Sequence, residues 1–516
     1  MAKFTWLLLA MLACSYIGEA YKILVVFPFP GKSHTILGDG VVRLLLEAGH
    51  EVTYITPYIK KNPPPKLRQV DVSDNIKGIS LEPLNLNTMM KNDGKLDIHV
   101  VLNFTTSIPV MTFHNPNVRQ LCEDPNETFD VIIAEWMFNE FNSFFGAIFQ
   151  TPFIWFESLD PHWMVLSLLD GTTNPAYSAD VHSDGVPPFT FLERIEQLII
   201  QMTIRVYNRL YISDHEQDLY NYVKPLITGR GHEVPDLEAV RYNVSLMLGN
   251  SHVSVGSAMA LPQSFKPVGG YHIDPNVKPL PEDLQKLMDN AKHGVIYFSM
   301  GSNLRSKTLP QEIKDGLLEV FGKLNQTVIW KFEEALPRTP PNVKILEWAP
   351  QHSILAHPNC ILFITHGGLL STTETVYFGK PIIAIPVFAD QFLNAKRAVK
   401  SGYAININLE MTMPEKLNTA IDTMLSDPSY SRRAKELSVV YHHRPVPPGK
   451  ELVHWVEHVV LTKGAPHLRS PALNICFCQK YYLDLAGIIT AVLGTLYLII
   501  RRLCCKKTQK AKQKRS

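Results

Sequence analysis

Short, almost wholly apolar runs recur along this chain, each followed by a loop and then a stretch of helical spacing. The first is Ile23-Leu24-Val25-Val26-Phe27. A strand that is apolar on consecutive residues has to be covered on both faces, which is the condition of a strand in a parallel sheet flanked by helices. Pro28-Phe29-Pro30-Gly31 breaks the run, and Leu37, Val41, Leu44, Leu45 and Ala48 then repeat at helical spacing up to Gly49-His50. Glu51–Thr56 reads as the next strand. Strand, short loop, helix and strand in so few residues make a βαβ unit, and Asp130–Ala134 and Pro152–Phe156 continue it.

A second series follows a proline-rich linker over 266–283, with strands expected at Gly294–Ser299, Thr327–Lys331, Cys360–Ile364 and Pro381–Ile385. The 516 residues therefore divide into two α/β halves, 21–265 and 284–465, with a cleft between the carboxyl ends of their sheets. Residues 191–225 read as a core helix. The competing reading is a helical flap over an apolar cleft that touches a membrane.

The ends of the chain carry addresses. Residues 1–20, with Lys3, the run Leu7–Ala13 and small residues before Ala20, have the pattern of a cleaved signal peptide. Leu485–Ile500 is 16 uncharged residues inside an expected membrane span at 483–500, after a juxtamembrane segment at 466–482. The tail 501–516 holds eight Lys/Arg and no acid, which orients it to the cytosol and the body to the lumen, a single-pass type I protein. Lys512 and Lys514 match a dilysine retrieval signal of the endoplasmic reticulum or serve as ordinary positive-inside residues. Sequons at Asn103, Asn126, Asn243 and Asn325 agree with a lumenal body.

The net charge of +2 hides an asymmetry, because without the tail the chain carries 42 Lys+Arg against 48 Asp+Glu, a net −6. Nucleic-acid binding is excluded on that ground. Seven scattered cysteines with no Cys-x-x-Cys, and no His-Glu-x-x-His, give no disulfide framework and no zinc motif.

Three strand-end loops of the second half carry chemistry. Ser299-Met300-Gly301-Ser302-Asn303 offers backbone and hydroxyl donors to a phosphate. In Thr365-His366-Gly367-Gly368 the glycines permit close backbone approach, and a helix start follows to favour an anion. Pro386 to Gln391 sets a carboxylate beside an amide at Asp390-Gln391, a pair suited to adjacent sugar hydroxyls.

From Phe363 to Gln391 the fixed positions, Phe363-Ile364-Thr365-His366-Gly367-Gly368, Glu374, Pro381-Ile382-Ile383, Pro386 and Asp390-Gln391, match the signature of the UDP-glycosyltransferases. The whole chain resembles the membrane-bound animal members, and most of all the insect UDP-glucosyltransferases. That resemblance implies a GT-B fold, two Rossmann-like domains facing a cleft plus one C-terminal transmembrane helix, with the acceptor in the first half and the UDP-sugar in the second. It implies that Trp348 stacks on uracil near Gln351 and that Glu374 holds the ribose. Gly301, Ser302, His366 and the Gly367-Gly368 turn take the diphosphate, and Asp390 and Gln391 the sugar. Leu370-Ser371 departs from the Asn-Gly of vertebrate relatives, leaving Ser371 as the hydrogen-bonding group there. His34 occupies the position of the family's catalytic base, and Glu135, or else Glu140, is the carboxylate to orient it. Gly31-Lys32-Ser33 is no P-loop, since the required first glycine is Val26.

The function so implied is inverting transfer of a sugar, glucose or alternatively glucuronate, from a UDP-sugar to a small lipophilic phenol, flavonoid or steroid. No cofactor and no metal are expected, and homo-oligomers are allowed. The rival from another class is a catalytically silent, membrane-anchored protein that binds apolar molecules in the same cleft. The acceptor pocket is expected within residues 80–230, where the sequence singles out no specificity residue.

Overall fold

The computed structural model describes residues 20–513 apart from 79–81, 83–84, 93–97, 172, 184 and 257, so the signal-peptide expectation lies almost wholly outside the described residues. The chain forms two compact units, one ending at Leu468 and one beginning at Arg469.

The first unit contains two parallel sheets. Strands β1 (Lys22–Val26), β2 (Glu51–Thr56), β3 (Leu67–Asp71), β4 (Val131–Trp136), β5 (Phe153–Glu157), β6 (Leu246–Gly249) and β7 (Phe265–Pro267) assemble in the order β3-β2-β1-β4-β5-β6-β7. Strands β8 (Val295–Ser299), β9 (Thr327–Lys331), β10 (Val343–Leu346), β11 (Cys360–Thr365), β12 (Ile382–Ala384) and β13 (Ala404–Asn406) assemble as β10-β9-β8-β11-β12-β13.

The unbroken apolar runs have a direct physical cause. Leu24, Val26, Ile132 and Ala134 pack into one hydrophobic core while Ile23, Val25, Val131 and Ile133 pack into another on the opposite face of the sheet. The second sheet divides the same way, with Ile296 and Phe298 on one side and Val295 and Tyr297 on the other. Both sheets reverse direction beside their first strand, β1 between β2 and β4 and β8 between β9 and β11. At such a reversal the connections leave on opposite faces and open a crevice at the carboxyl ends of the strands.

The boundary between the halves is less simple than the expected linker. Lys266 and Pro267 belong to β7 and pair with Leu248 and Gly249 of the first sheet. Helix Pro448–Leu461, placed by sequence with the second half, packs Leu452, Val456 and Val459 into the core that holds Leu37 and Val41 of helix Lys32–Glu47. Tyr441 and Arg444 also donate to the carbonyl of Gly269, at 3.0 and 2.9 Å.

Residues 191–225 divide between the two readings. Helix Ser213–Gly229 buries Leu219, Tyr220 and Val223 as a core helix does. Helix Phe191–Tyr207 does the reverse: Phe191, Leu192, Ile195, Leu198, Ile199, Met202 and Val206 are exposed, and its buried residues are Gln197 and Gln201. Its inward face is held by polar contacts, Gln197 donating to Ser183 Oγ at 2.5 Å and accepting from the Asp180 amide at 2.8 Å.

The second unit contains helix Leu483–Gln513, whose stretch Leu483–Leu503 has a mean hydropathy of 2.1 and is long and apolar enough to cross a membrane.

The packing of the returning helix is open to test. Leu452→Ala should cost about 2–5 kcal/mol of stability in urea unfolding of the purified chain, as for other buried leucines. Leu461→Ala, at an exposed position of the same helix, should change it by no more than about 0.5 kcal/mol. Equal effects would mean that the helix is not anchored through its buried face.

Candidate active site

His34 lies in the first turn of helix Lys32–Glu47, directly past the carboxyl end of β1. Gly31 precedes that helix, and a Cβ there would sit 2.8 Å from His34 Cδ2 and 3.2 Å from the Phe29 ring, so only glycine lets the imidazole take this position. His34 Nδ1 is 2.5 Å from Glu135 Oε1. Sequence reading ends the neighbouring strand at Ala134, whereas β4 runs on to Trp136 and contains Glu135. The Glu135 carboxylate is buried, and its Oε1 also accepts from the Ser158 hydroxyl. Asn142 donates to the Glu135 carbonyl at 3.0 Å. Glu140, the alternative partner, accepts instead from the Trp136 indole at 3.2 Å.

A carboxylate on Nδ1 fixes the proton there and leaves Nε2 as the lone-pair nitrogen of the ring. Burial pulls the His34 pKa down. The charge and hydrogen bond of Glu135, with smaller contributions from Asp390 and Glu157, outweigh it and hold the pKa above the usual histidine value.

Across the cleft, three glycines shape the loops. Gly301 has φ +81°, and a Cβ there would lie 2.6 Å from His366 Cε1. At Gly368 it would lie 2.5 Å from His366 Nε2. The imidazole is thus pinched between two loops, and helix Leu369–Phe378 begins at its edge. Burial, then the charge of Lys331, push His366 down to about 4, so this histidine is neutral. Gly367 also has a positive φ, but it does not line the cleft; it packs behind the turn against the Gln391 carbonyl.

Glu374 is the best-held carboxylate of the second half. Gln351 donates to its Oε2 at 2.5 Å, and His352 Nε2 stands 2.9 Å from its Oε1. Gln351 also reaches Ser371 Oγ at 3.2 Å and accepts from Tyr297 at 3.3 Å. Burial raises the Glu374 pKa, but the charge of His352, the nearby His272 and a hydrogen bond from His352 prevail and hold it well below the carboxylate range. His272, His352 and Glu374 bring ligand-type atoms within 4.8 Å of one another and could hold a metal ion.

Asp390 is pushed up to about 6, by burial above all, although Asn394 donates to it at 2.7 Å. The Gln391 side-chain oxygen Oε1 accepts from the Val387 and Phe388 amides at 2.9 and 3.2 Å, which leaves its NH2 group for a ligand. Trp348 is 55% exposed, and Lys32 Nζ lies 4.5 Å from its ring centroid.

These side chains meet in one cleft of about 1720 Å³ formed by both halves. His34, Gly301, Ser302, Trp348, Gln351, His366, Gly368, Ser371, Glu374, Asp390 and Gln391 all line it, while Glu135 and Gly367 stand one layer behind. Polar contacts join the two halves around it, among them Asn303 Nδ2 to Ser33 Oγ at 3.2 Å, the Leu86 amide to Thr308 Oγ1 at 3.0 Å and, outside the cleft lining, Arg397 to Asp160 at 2.5 Å. Sequence reading missed Glu157, Ser158, His272 and Lys331. They lie at strand ends or in loops with no short motif around them, and only the fold brings them to the site.

The family model for UDP-glucoronosyl and UDP-glucosyl transferases matches residues 22–516. The chain belongs to the UDP-glycosyltransferase family. It is 34% identical over 489 residues to the UDP-glycosyltransferase UGT5 of Dactylopius coccus, covering 93% of this chain and 91% of that protein. It is 29% identical to the UDP-glucuronosyltransferase 2B1 of Rattus norvegicus, over 74% of this chain and 71% of that protein. Among solved structures it resembles the glycotransferase of kitacinnamycin, with a TM-score of 0.56 at 18% identity over 85% of this chain and 99% of the other. The calicheamicin glycosyltransferase CalG4 gives a TM-score of 0.52 at 16% identity, over 87% of this chain and all of the other. The fold is GT-B.

The His34–Glu135 pair makes a sign-definite prediction. Glu135 raises the His34 pKa while burial lowers it, so Glu135→Gln leaves burial dominant and moves the His34 titration to lower pH. NMR of histidine-labelled protein reads this directly, and an unmoved titration would break the assignment of the pair.

Proposed function

We propose that this UDP-glycosyltransferase transfers glucose, with inversion, from UDP-glucose to the hydroxyl of a small lipophilic acceptor. The observation that carries the reading is the His34–Glu135 pair opening onto the same cleft as Asp390, Gln391 and Glu374. The acceptor O–H donates to His34 Nε2, and its proton moves there as the oxygen attacks the anomeric carbon. The bond from that carbon to the UDP oxygen breaks on the opposite face, so the configuration inverts in one displacement. Glu135 stabilises the imidazolium that forms. Charge on the departing UDP is met by the Gly301-Ser302 loop and by the amides that open helix Leu369–Phe378. The step as written uses no metal and no covalent intermediate.

Two features favour a neutral sugar over glucuronate. Glu135, Glu157 and Asp390 all act on His34, so the reacting end of the cleft is acidic. Arg397, in the helix that begins at Gln391, does not line the cleft and is committed to Asp160 at 2.5 Å. A uronate carboxylate brought there meets repulsion, whereas hydroxyls find acceptors. A relative named UDP-glucosyltransferase 2, from Dactylopius coccus and 30% identical over 94% of this chain and 92% of that protein, agrees with glucose. The acceptor's apolar character is supported by Phe29, Val101, Phe104, Trp136, Phe138 and Leu159, which line the same cavity around His34.

The enzyme is further proposed to sit in the endoplasmic reticulum membrane through Leu483–Leu503, with a lumenal body and a role in detoxification. The asparagines of all four sequons are exposed, as N-glycosylation needs.

His34→Ala should lower kcat for transfer to a phenol by about 10²–10⁴-fold while UDP affinity, read by calorimetry, stays the same. Turnover of the wild type should be faster with UDP-glucose than with UDP-glucuronate. Undiminished transfer by the His34→Ala chain would overturn the mechanism, and a preference for UDP-glucuronate would overturn the sugar assignment.

A further inference from the structure

His272, His352 and Glu374 come from three separate segments: the loop after β7, helix Gln351–Ala356 and helix Leu369–Phe378. His272 is buried, and among the described residues its Nδ1 has no hydrogen-bond partner while its Nε2 stops 3.7 Å from Glu374 Oε1, beyond hydrogen-bond distance. A buried imidazole whose nitrogens make no hydrogen bond is costly unless a ligand takes its lone pair. His352 Nε2 and His272 Nε2 stand 2.9 and 3.7 Å from the same atom, Glu374 Oε1. In a tetrahedral zinc site, bonds of about 2.0–2.1 Å put ligand atoms roughly 3.3–3.4 Å apart, a spacing that those two distances bracket. His352 and Glu374 line the cleft, so a fourth position is open to solvent or ligand. Two imidazoles and one carboxylate with an open position are a ligand set that suits zinc better than magnesium or calcium.

The geometry points to a Zn²⁺ site formed by His272, His352 and Glu374 that competes with the nucleotide for the second half of the cleft. The ion is an inhibitor here, not a cofactor. Glu374 Oε2 is already occupied by Gln351 at 2.5 Å, so Oε1 is the oxygen that both a ribose hydroxyl and a metal would claim. The competition rests on the reading of Glu374 as the ribose holder; the metal binding does not.

The test uses the whole chain in detergent, with His467→Ala as background, because the exposed His458–His467 pair (Nε2 to Nε2, 3.0 Å) is a second imidazole cluster. Equilibrium dialysis against Zn²⁺ without nucleotide should show a site that His352→Asn and His272→Asn each weaken by at least about tenfold. Co²⁺ in its place should give the intense visible absorption of a four-coordinate ion, and His272→Asn should abolish it. Zn²⁺ should weaken UDP binding, and UDP should weaken Zn²⁺ binding by the same factor, as linkage requires. Equal zinc binding by the background chain and both variants overturns the site, and UDP affinity indifferent to zinc overturns the competition. UDP binding in zinc-free buffer tests the donor reading by itself, so its failure is told apart from failure of the metal site.

Discussion

Parallel strand pairing at the two points where the sheets reverse direction is the constraint from which the rest of the site follows. In the first sheet Val26 is level with Ala134. The next residue of β4 is Glu135, and the chain leaving β1 turns into the helix that carries His34 within its first turn. The hydrogen bond between them spans 101 positions of sequence but only two adjacent strands. In the second sheet Ser299 is level with Thr365, so Gly301 and His366 emerge side by side. Around β1 and β8 the two sheets run in the same strand order, and His34 and the Gly301 and His366 loops face one another across one cleft.

The same residue type does opposite work at the two reversals because its neighbours differ. His34 and His366 are both desolvated, which disfavours the imidazolium in each. A carboxylate beside His34 reverses the sign, whereas Lys331 beside His366 adds to it and pushes the ring down to about 4. One histidine can therefore receive a proton during a reaction while the other stays neutral. Their roles are set by strand ends that each sheet delivers, Glu135 from β4 and Lys331 from β9.

What the sequence made legible follows from the range over which each signal acts. The strand positions were readable because both faces of each strand are buried, and His366-Gly367-Gly368 and Asp390-Gln391 were readable because their residues are contiguous. Glu157, Ser158 and Lys331 escaped because their surroundings in sequence are ordinary strand ends. Helix Phe191–Tyr207 was misread for a different reason. Spacing shows that apolar residues share a face but not which way the face points, and here Gln197 and Gln201 take the interior. Helix Pro448–Leu461 shows the same limit at the level of domains: its apolar face was visible, but its partner, the first-half core around Leu37 and Val41, was not.

That returning helix bears on how the cleft works. A GT-B enzyme joined only by one linker could hinge freely, with its base and donor site meeting only on closure. Here packing and polar contacts also hold the halves together. Leu452, Val456 and Val459 are fully buried in the first-half core, Tyr441 and Arg444 hold the Gly269 carbonyl, and Arg397 pairs with Asp160 where both are largely shielded from water. Separating a shielded ion pair leaves two charges short of partners, a cost far greater than for a surface pair. Opening the cleft would therefore separate the Arg397–Asp160 pair together with the Asn303–Ser33 contact. The charge of Asp390 acts on His34, so the two groups share one electrostatic environment across the cleft. The polar groups that line the cleft are thus held in position by the packing around them.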